Sequence, residues 1–211
     1  MKRVLIIAGG LISDKTDLKV FLNDDLYVIA ADRGAENAVI MDIMPDLIIG
    51  DMDSVKPEIL NYFESRGTVV KRFPVHKDKS DLELAFDEAQ SMEPDEVIVI
   101  GYAGARTDHF LFNIMVYLNY ADMNIRFVDG FEEMIPAKMK MEITGHKDAT
   151  VSIIPLTPVL EDVTIEGFRY PLNGENLFMG STRGLSNVLT DPPGKISFKS
   201  GNALLVINRK V

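Results

Sequence analysis

Gly50-Asp51-Met52-Asp53-Ser54 follows the apolar run Leu47-Ile48-Ile49 without a break and stops just before Lys56-Pro57. A short apolar run broken by Gly and then by acids reads as a buried parallel strand emptying into a loop. In open α/β sheets, ligands bind at such carboxyl ends. Asp51 and Asp53 stand two residues apart across a turn, so both carboxylates can meet one hard cation that prefers oxygen ligands. Asp, Gly and Ser are also ordinary turn formers, so the stretch alone is equally compatible with a plain connection. The same pattern, however, recurs along the chain.

Arg3 to Ala8 is an apolar run stopped by Gly9-Gly10, a tight turn without the full glycine spacing of a phosphate loop. Tyr27 to Ala31 ends in Asp32-Arg33-Gly34-Ala35, and a short helix through Met41 is stopped by Met44-Pro45. Pro57 to Arg66 has helical spacing with Pro57 in the first turn, and Thr68-Val69-Val70 opens another strand. In His76-Lys77-Asp78-Lys79-Ser80-Asp81-Leu82-Glu83, Ser80 and Glu83 form a capping box, with Leu82, Ala85, Phe86 and Ala89 as the helix's buried stripe. Asp78 and Asp81 fit the favourable charge of a helix start, and beside Lys77 and Lys79 they also suit a metal-bound polyphosphate. Asp95 to Ile100 is a further strand, running into Gly101 to His109. The nearly all-apolar segment Phe110 to Leu118 predicts a helix buried on most sides, with Arg106, Asp108 and His109 clustered at its start. Asn124 to Val128 closes the alternation of strands and helices.

After Gly130 the pattern changes to short branched runs separated by turns, among them Ala149 to Ile154, Val163 to Ile165 and Lys195 to Phe198. Ser200-Gly201-Asn202 reads as a hairpin turn between the last two strands. The expected fold is therefore an α/β domain over 1–129 with a mainly parallel sheet, then an all-β antiparallel sandwich or barrel-like domain over 130–211.

A formal net charge of -10 offers no basic stripe for nucleic acid or an anionic membrane. With no Cys, disulfides, thiolate metal sites and a cysteine nucleophile are excluded. Met1-Lys2-Arg3 precedes only a short apolar run, and the chain turns polar from Asp14 through Asp17, so no signal peptide is expected and cytoplasmic residence is the default.

Five motifs, Ala31 to Ala35, Gly50 to Ser54, Asp78 to Ala85, Gly104 to His109 and Gly184-Leu185-Ser186-Asn187, occur in the order found in thiamine pyrophosphokinases. Gly167 to Leu172 is also similar to that family's C-terminal domain. The resemblance implies transfer of pyrophosphate from ATP to the thiamine hydroxyl, giving thiamine diphosphate and AMP. It further implies Mg2+ held by Asp51, Asp53 and Asp81, with Asp81 or Asp78 accepting the alcohol's proton. Asp32, Arg33, Lys77, Lys79, Arg106, Asp108 and His109 become candidates for the ATP and phosphate side, and Ser186 and Asn187 for the thiamine pocket. By the same similarity the protein is a homodimer whose sites lie at the subunit interface.

Several positions depart from the family's pattern. Arg33 and Glu36 replace a Gly and an Asn, Lys77 stands where some relatives carry Gln, Val188 replaces an acid after Asn187, and no Trp is present for stacking. A pyrophosphokinase acting on another small alcohol such as a hydroxymethylpterin, and a non-catalytic thiamine or nucleotide binding module, remain the competing readings. The Asp51-x-Asp53 pair also occurs in haloacid-dehalogenase-like phosphatases, but those carry it on the first strand.

Overall fold

A computed structural model describes residues 1–12, 26–130, 132–144 and 147–208. The polar segment Asp14–Asp17 lies outside the described residues. The chain divides into two compact units, Met1–Gly130 and Phe131–Val211.

Unit 1 is built on β1 (Arg3–Ile7), β2 (Leu26–Ala31), β3 (Leu47–Gly50), β4 (Val69–Arg72), β5 (Glu96–Ile100) and β6 (Ile125–Asp129), all parallel in the order β6-β5-β1-β2-β3-β4. Helices α1 (Gly34–Met41), α2 (Pro57–Glu64), α3 (Asp81–Ser91) and α4 (Thr107–Met115), with a 3-10 turn over Val116–Tyr120, connect them. The central strands are branched and apolar because both faces are covered, and Leu5, Ile7, Ala30, Ile48 and Ile98 pack with Ala38 and Phe63 of the helices. Ser80 starts α3 as expected, its Oγ accepting from the Glu83 amide at 3.2 Å, and Pro57 opens α2.

The direction of strand order reverses at β1. From there the chain goes to β2 on one side and later to β5 on the other, so the loops after β1 and β5 diverge and leave a crevice at their carboxyl ends.

Unit 2 contains two antiparallel sheets. One has the order β12 (Asn187–Val188), β9 (Thr150–Pro155), β14 (Ala203–Asn208), β7 (Glu132–Pro136); the other has β11 (Leu172–Phe178), β10 (Val159–Glu166), β13 (Gly194–Ser197), β8 (Lys140–Ile143). Side chains of both sheets, including Val151, Leu205, Leu160, Ile165 and Ile196, form a single apolar cluster, which makes the unit a sandwich.

Two expectations need correction. Ser200-Gly201-Asn202 is not a hairpin turn, because β13 pairs with β10 and β8 whereas β14 pairs with β7 and β9. The segment carries the chain from one sheet to the other, with Ser200 bridged to Glu161 and the Asn202 amide donating to Thr157 Oγ1 at 3.1 Å. Nor is α4 buried on most sides: Leu111 and Met115 are exposed and Phe112 is 74% exposed, while Ile114 turns inward. The charged start of that helix is exposed with it, so Arg106, Asp108 and His109 carry no burial cost.

Candidate functional site

A cleft of about 550 Å³ opens where the strand order reverses. Its walls come from Ala8-Gly9-Gly10 after β1, Asp32 and Arg33 after β2, Ser54 after β3, Ser80 and Asp81 at the start of α3, and Tyr102 with Arg106 and His109 after β5. The backbone must fit closely there. A side chain at Gly10 would collide with the carbonyl oxygens of Gly101 and Ala103, which is the physical reason for glycine at this turn. Asn37, which sequence reasoning did not select, fixes the same loop by donating its Nδ2 to the Ala8 carbonyl at 2.7 Å and the Gly10 carbonyl at 2.8 Å.

The acids converge because the backbone turns sharply at non-glycine positions. Asp32 has φ 43° and Met52 has φ 64°. The second of these folds Asp53 back so that its amide donates to Asp51 Oδ1 at 3.2 Å, and Ser54 Oγ donates to Asp53 Oδ1 at 2.8 Å. Gly50, at φ 151°, lies under Asp32 and Asp81, and an added Cβ would stand 3.0 Å from the Asp32 Cβ and from Asp81 Oδ1. Carboxylate oxygens of Asp32, Asp51 and Asp53 all lie within 4.8 Å of one another.

Asp32 is 9% exposed, and among the described residues its Oδ1 has no hydrogen-bond partner. Burial, opposed by the Arg33 backbone amide and reinforced by the neighbouring acids, raises its pKa. A buried carboxylate oxygen without a donor is costly unless a cation reaches it. Hard oxygen donors, close spacing and an orphaned buried oxygen together fit a divalent ion such as Mg2+.

This group differs from the expected ligand set in one member. Asp32 stands in the group where Asp81 was expected; Asp81 Oδ1, also buried and without a hydrogen-bond partner among the described residues, has Lys77 Nζ 3.1 Å away. The same Nζ donates to Asp51 Oδ2 at 2.8 Å. That hydrogen bond is the main cause lowering the Asp51 pKa. Burial draws Lys77 downward, but Asp51 and Asp81 outweigh it and its pKa is raised, so it stays charged. Asp81 is raised, chiefly by burial and against the pull of Lys77.

The remaining candidates separate clearly. Arg106 and His109 line the cleft, and Arg106 also forks onto Asp108, with Nε to Oδ1 at 3.2 Å and Nη2 to Oδ2 at 2.6 Å. That pair holds the Asp108 carboxyl down at about 2. Asp108 does not line the cleft, and neither does Asp78, which is exposed on the loop before α3. Lys79 turns along α3 to Asp87 at 2.6 Å and Glu83 at 3.9 Å, away from the cleft-lining residues. Arg33 needs no glycine-like conformation, since its φ is -56°. Its Cβ fills the space that a side chain at Gly9 would need, and its guanidinium meets Glu36 at 3.4 Å, so the two departures from the family pattern pair with each other.

In unit 2, Ser186 has φ 57° and an exposed side chain, and its amide donates to Ser152 Oγ at 3.0 Å. Asn187 is buried, and its amide group is committed to the backbone. Oδ1 accepts from the Tyr170 and Val188 amides at 3.0 Å each, and Nδ2 donates to the Tyr170 carbonyl at 2.7 Å.

Two family descriptions match this chain: "Thiamin pyrophosphokinase, catalytic domain" over residues 18–128 and "Thiamin pyrophosphokinase, vitamin B1 binding domain" over residues 138–203. The chain belongs to the thiamin pyrophosphokinase family. Thiamine pyrophosphokinase of Bacillus subtilis (strain 168) is 30% identical over 211 residues, which cover 98% of each chain. The crystal structure of the Bacillus subtilis thiamine pyrophosphokinase superposes with a TM-score of 0.87 at 29% identity and covers 100% of both chains. That of the Geobacillus thermodenitrificans enzyme gives 0.86 at 27% identity, covering 99% of this chain and 98% of its own. The reaction of the family is transfer of pyrophosphate from ATP to thiamine, and its members are diphosphokinases with ATP as co-substrate.

Proposed function

We propose that the cleft of unit 1 takes the phosphate chain of ATP and passes a pyrophosphoryl group to the thiamine hydroxyl, yielding thiamine diphosphate and AMP. The observation that carries this reading is the meeting of Asp51 and Asp53 with the cleft-lining Asp32 within 4.8 Å at the carboxyl ends of β2 and β3, where among the described residues the buried Asp32 Oδ1 has no donor. Mg2+ held there supplies charge neutralisation for the phosphate oxygens and favours an in-line geometry. Arg106 and Arg33, which border the cleft, bind phosphate oxygens; Arg106 does so by exchanging its exposed Asp108 partner for the substrate, a small loss for a solvent-exposed pair. His109 stands beside them on the first turn of α4.

Asp81 is the better proton acceptor of the two acids considered. It lines the cleft and burial raises its pKa, whereas Asp78 is exposed and does not line the cleft. A raised carboxylate removes a proton from a weakly acidic alcohol more effectively, late in the transfer. Ser186 offers its exposed hydroxyl to thiamine, and Asn187 acts indirectly by holding that turn against Tyr170. Unit 1 is thus the nucleotide and metal unit, and unit 2 the thiamine-binding and dimerisation unit.

The protein acts as a homodimer in the cytoplasm. Support for an assembly comes from exposed apolar side chains in each unit, Leu111, Phe112 and Met115 on α4 and Tyr170, Phe178 and Leu185 in unit 2. Among the described residues no helix is long and apolar enough to cross a membrane.

The test is product analysis with ATP and Mg2+, adding or omitting thiamine. Thiamine-dependent AMP with thiamine diphosphate is expected. ADP with thiamine monophosphate, or AMP release indifferent to thiamine, would overturn the assignment.

A further inference from the structure

Four carboxylates, Asp32, Asp51, Asp53 and Asp81, crowd the carboxyl ends of β2 and β3 and the start of α3, and among the described residues a single ammonium stands with them. Lys77 Nζ is 2.8 Å from Asp51 Oδ2 and 3.1 Å from Asp81 Oδ1, distances of charge-assisted contacts, and its side chain is only 12% exposed. A lysine so enclosed has little freedom to leave. On the other side of Asp51, no lysine among the described residues pairs with Asp32 or Asp53; Asp32 Oδ1 and Asp81 Oδ1 are both buried without a hydrogen-bond donor, but only Asp81 Oδ1 has an ammonium beside it. The cluster is therefore divided into one face that already carries a cation of the protein and one face left open.

We propose that Lys77 is a resident cation of the acid cluster, filling the place between Asp51 and Asp81 that a second divalent ion would otherwise occupy, so that only the Asp32–Asp51–Asp53 face exchanges metal. This rests on the reading of the cluster as a metal site and goes beyond it by fixing how many ions the cluster takes. Because it is tethered to the chain and enclosed by both acids, Lys77 stays between Asp51 and Asp81 whether or not metal is bound. Asp81 then remains available for proton transfer instead of being spent as a metal ligand. A neutral side chain of similar length in its place leaves Asp51 and Asp81 unopposed, and a second hard cation becomes the natural occupant.

Mn2+ titration followed by electron paramagnetic resonance, without nucleotide, reads the stoichiometry directly. The wild-type chain and Lys77→Arg are expected to bind a single ion at the cluster, and Lys77→Gln to gain a second. Equal stoichiometry in wild type and a folded Lys77→Gln overturns the resident-cation role while leaving the metal site standing. No Mn2+ binding by the wild-type chain overturns the metal-site reading and this role with it.

A second measurement needs no variant. Reductive methylation of the wild-type protein, read by mass spectrometry, should leave Lys77 protected with and without Mn2+, while the more exposed Lys79 is modified in both states. Strong modification of Lys77 on adding Mn2+ would mean that metal displaces it, contrary to the proposal.

Discussion

Asp32 in unit 1 and Asn187 in unit 2 are equally buried, each 9% exposed, yet they use their polar atoms in opposite ways. Asn187 places its amide on backbone groups of Tyr170 and Val188 through three hydrogen bonds. Among the described residues Asp32 Oδ1 has no donor, and two further acids lie within a few ångströms. Buried polar groups are normally satisfied, and the exceptions mark places where a ligand completes the structure. The contrast sets a residue that holds the fold against residues proposed here to hold a metal ion.

The largest expected effect comes from the open side of this comparison. Asp53→Asn should lower turnover on the order of a hundredfold or more, by removing a preorganised charge, while thermal stability stays near wild type because Asp53 is exposed. Steady-state kinetics beside a melting curve decide it, and near-normal turnover in the folded variant would break the metal role.

Next in size is the satisfied side. Asn187→Ala strands the Tyr170 and Val188 amides and should destabilise unit 2 by about 1–3 kcal/mol, raising the KM for thiamine more than that for ATP. A denaturant series that shows no loss would remove Asn187 from the structural class.

A pH titration sharpens the comparison within unit 1. Burial pushes the Tyr117 hydroxyl up to about 12, so this group stays neutral in the folded chain after its unfolded counterpart has begun to ionise near 10. The unfolded state then binds fewer protons, and stability falls as pH rises from 10 towards 12. Tyr117→Phe should flatten that fall. An unchanged slope across the window would contradict it.

The smallest effect is expected at Arg33→Ala. Its exposed pair with Glu36 is worth less than about 1 kcal/mol, so stability should hardly move while the KM for ATP rises severalfold. A large drop in melting temperature would show that the arginine supports the loop itself.

Much of unit 1 was legible because its strands are buried on both faces and end in Gly or Asp, which gives abrupt boundaries at Gly9, Asp32 and Gly50. The acid positions followed from those boundaries. Their grouping did not, because it depends on left-handed conformations at Asp32 and Met52 that no glycine announces. Asp81 entered the ligand set through the family resemblance. Its pairing with Lys77 is local, four positions apart, whereas that of Lys77 with Asp51 spans 26 positions and exists only once the sheet is folded.

The apolar content of α4 was plain in the sequence, but a helix covered by its own unit and one carrying exposed Phe112 have the same composition. Likewise Ser200-Gly201-Asn202 announced a change of direction without saying which sheet receives the next strand. In unit 2 the alternation named strands such as β9 and β10, whereas polar β11, with Asn173 to Asn176 exposed, carried too little apolar signal to be read.

The most direct measurement sets turnover against melting temperature for Asp53→Asn and Asn187→Ala in one experiment. The account predicts lost turnover with an intact melt for Asp53→Asn, and a lowered melt with retained turnover at saturating thiamine for Asn187→Ala. The reverse pattern, with an active Asp53→Asn protein and a stable but inactive Asn187→Ala protein, would contradict it.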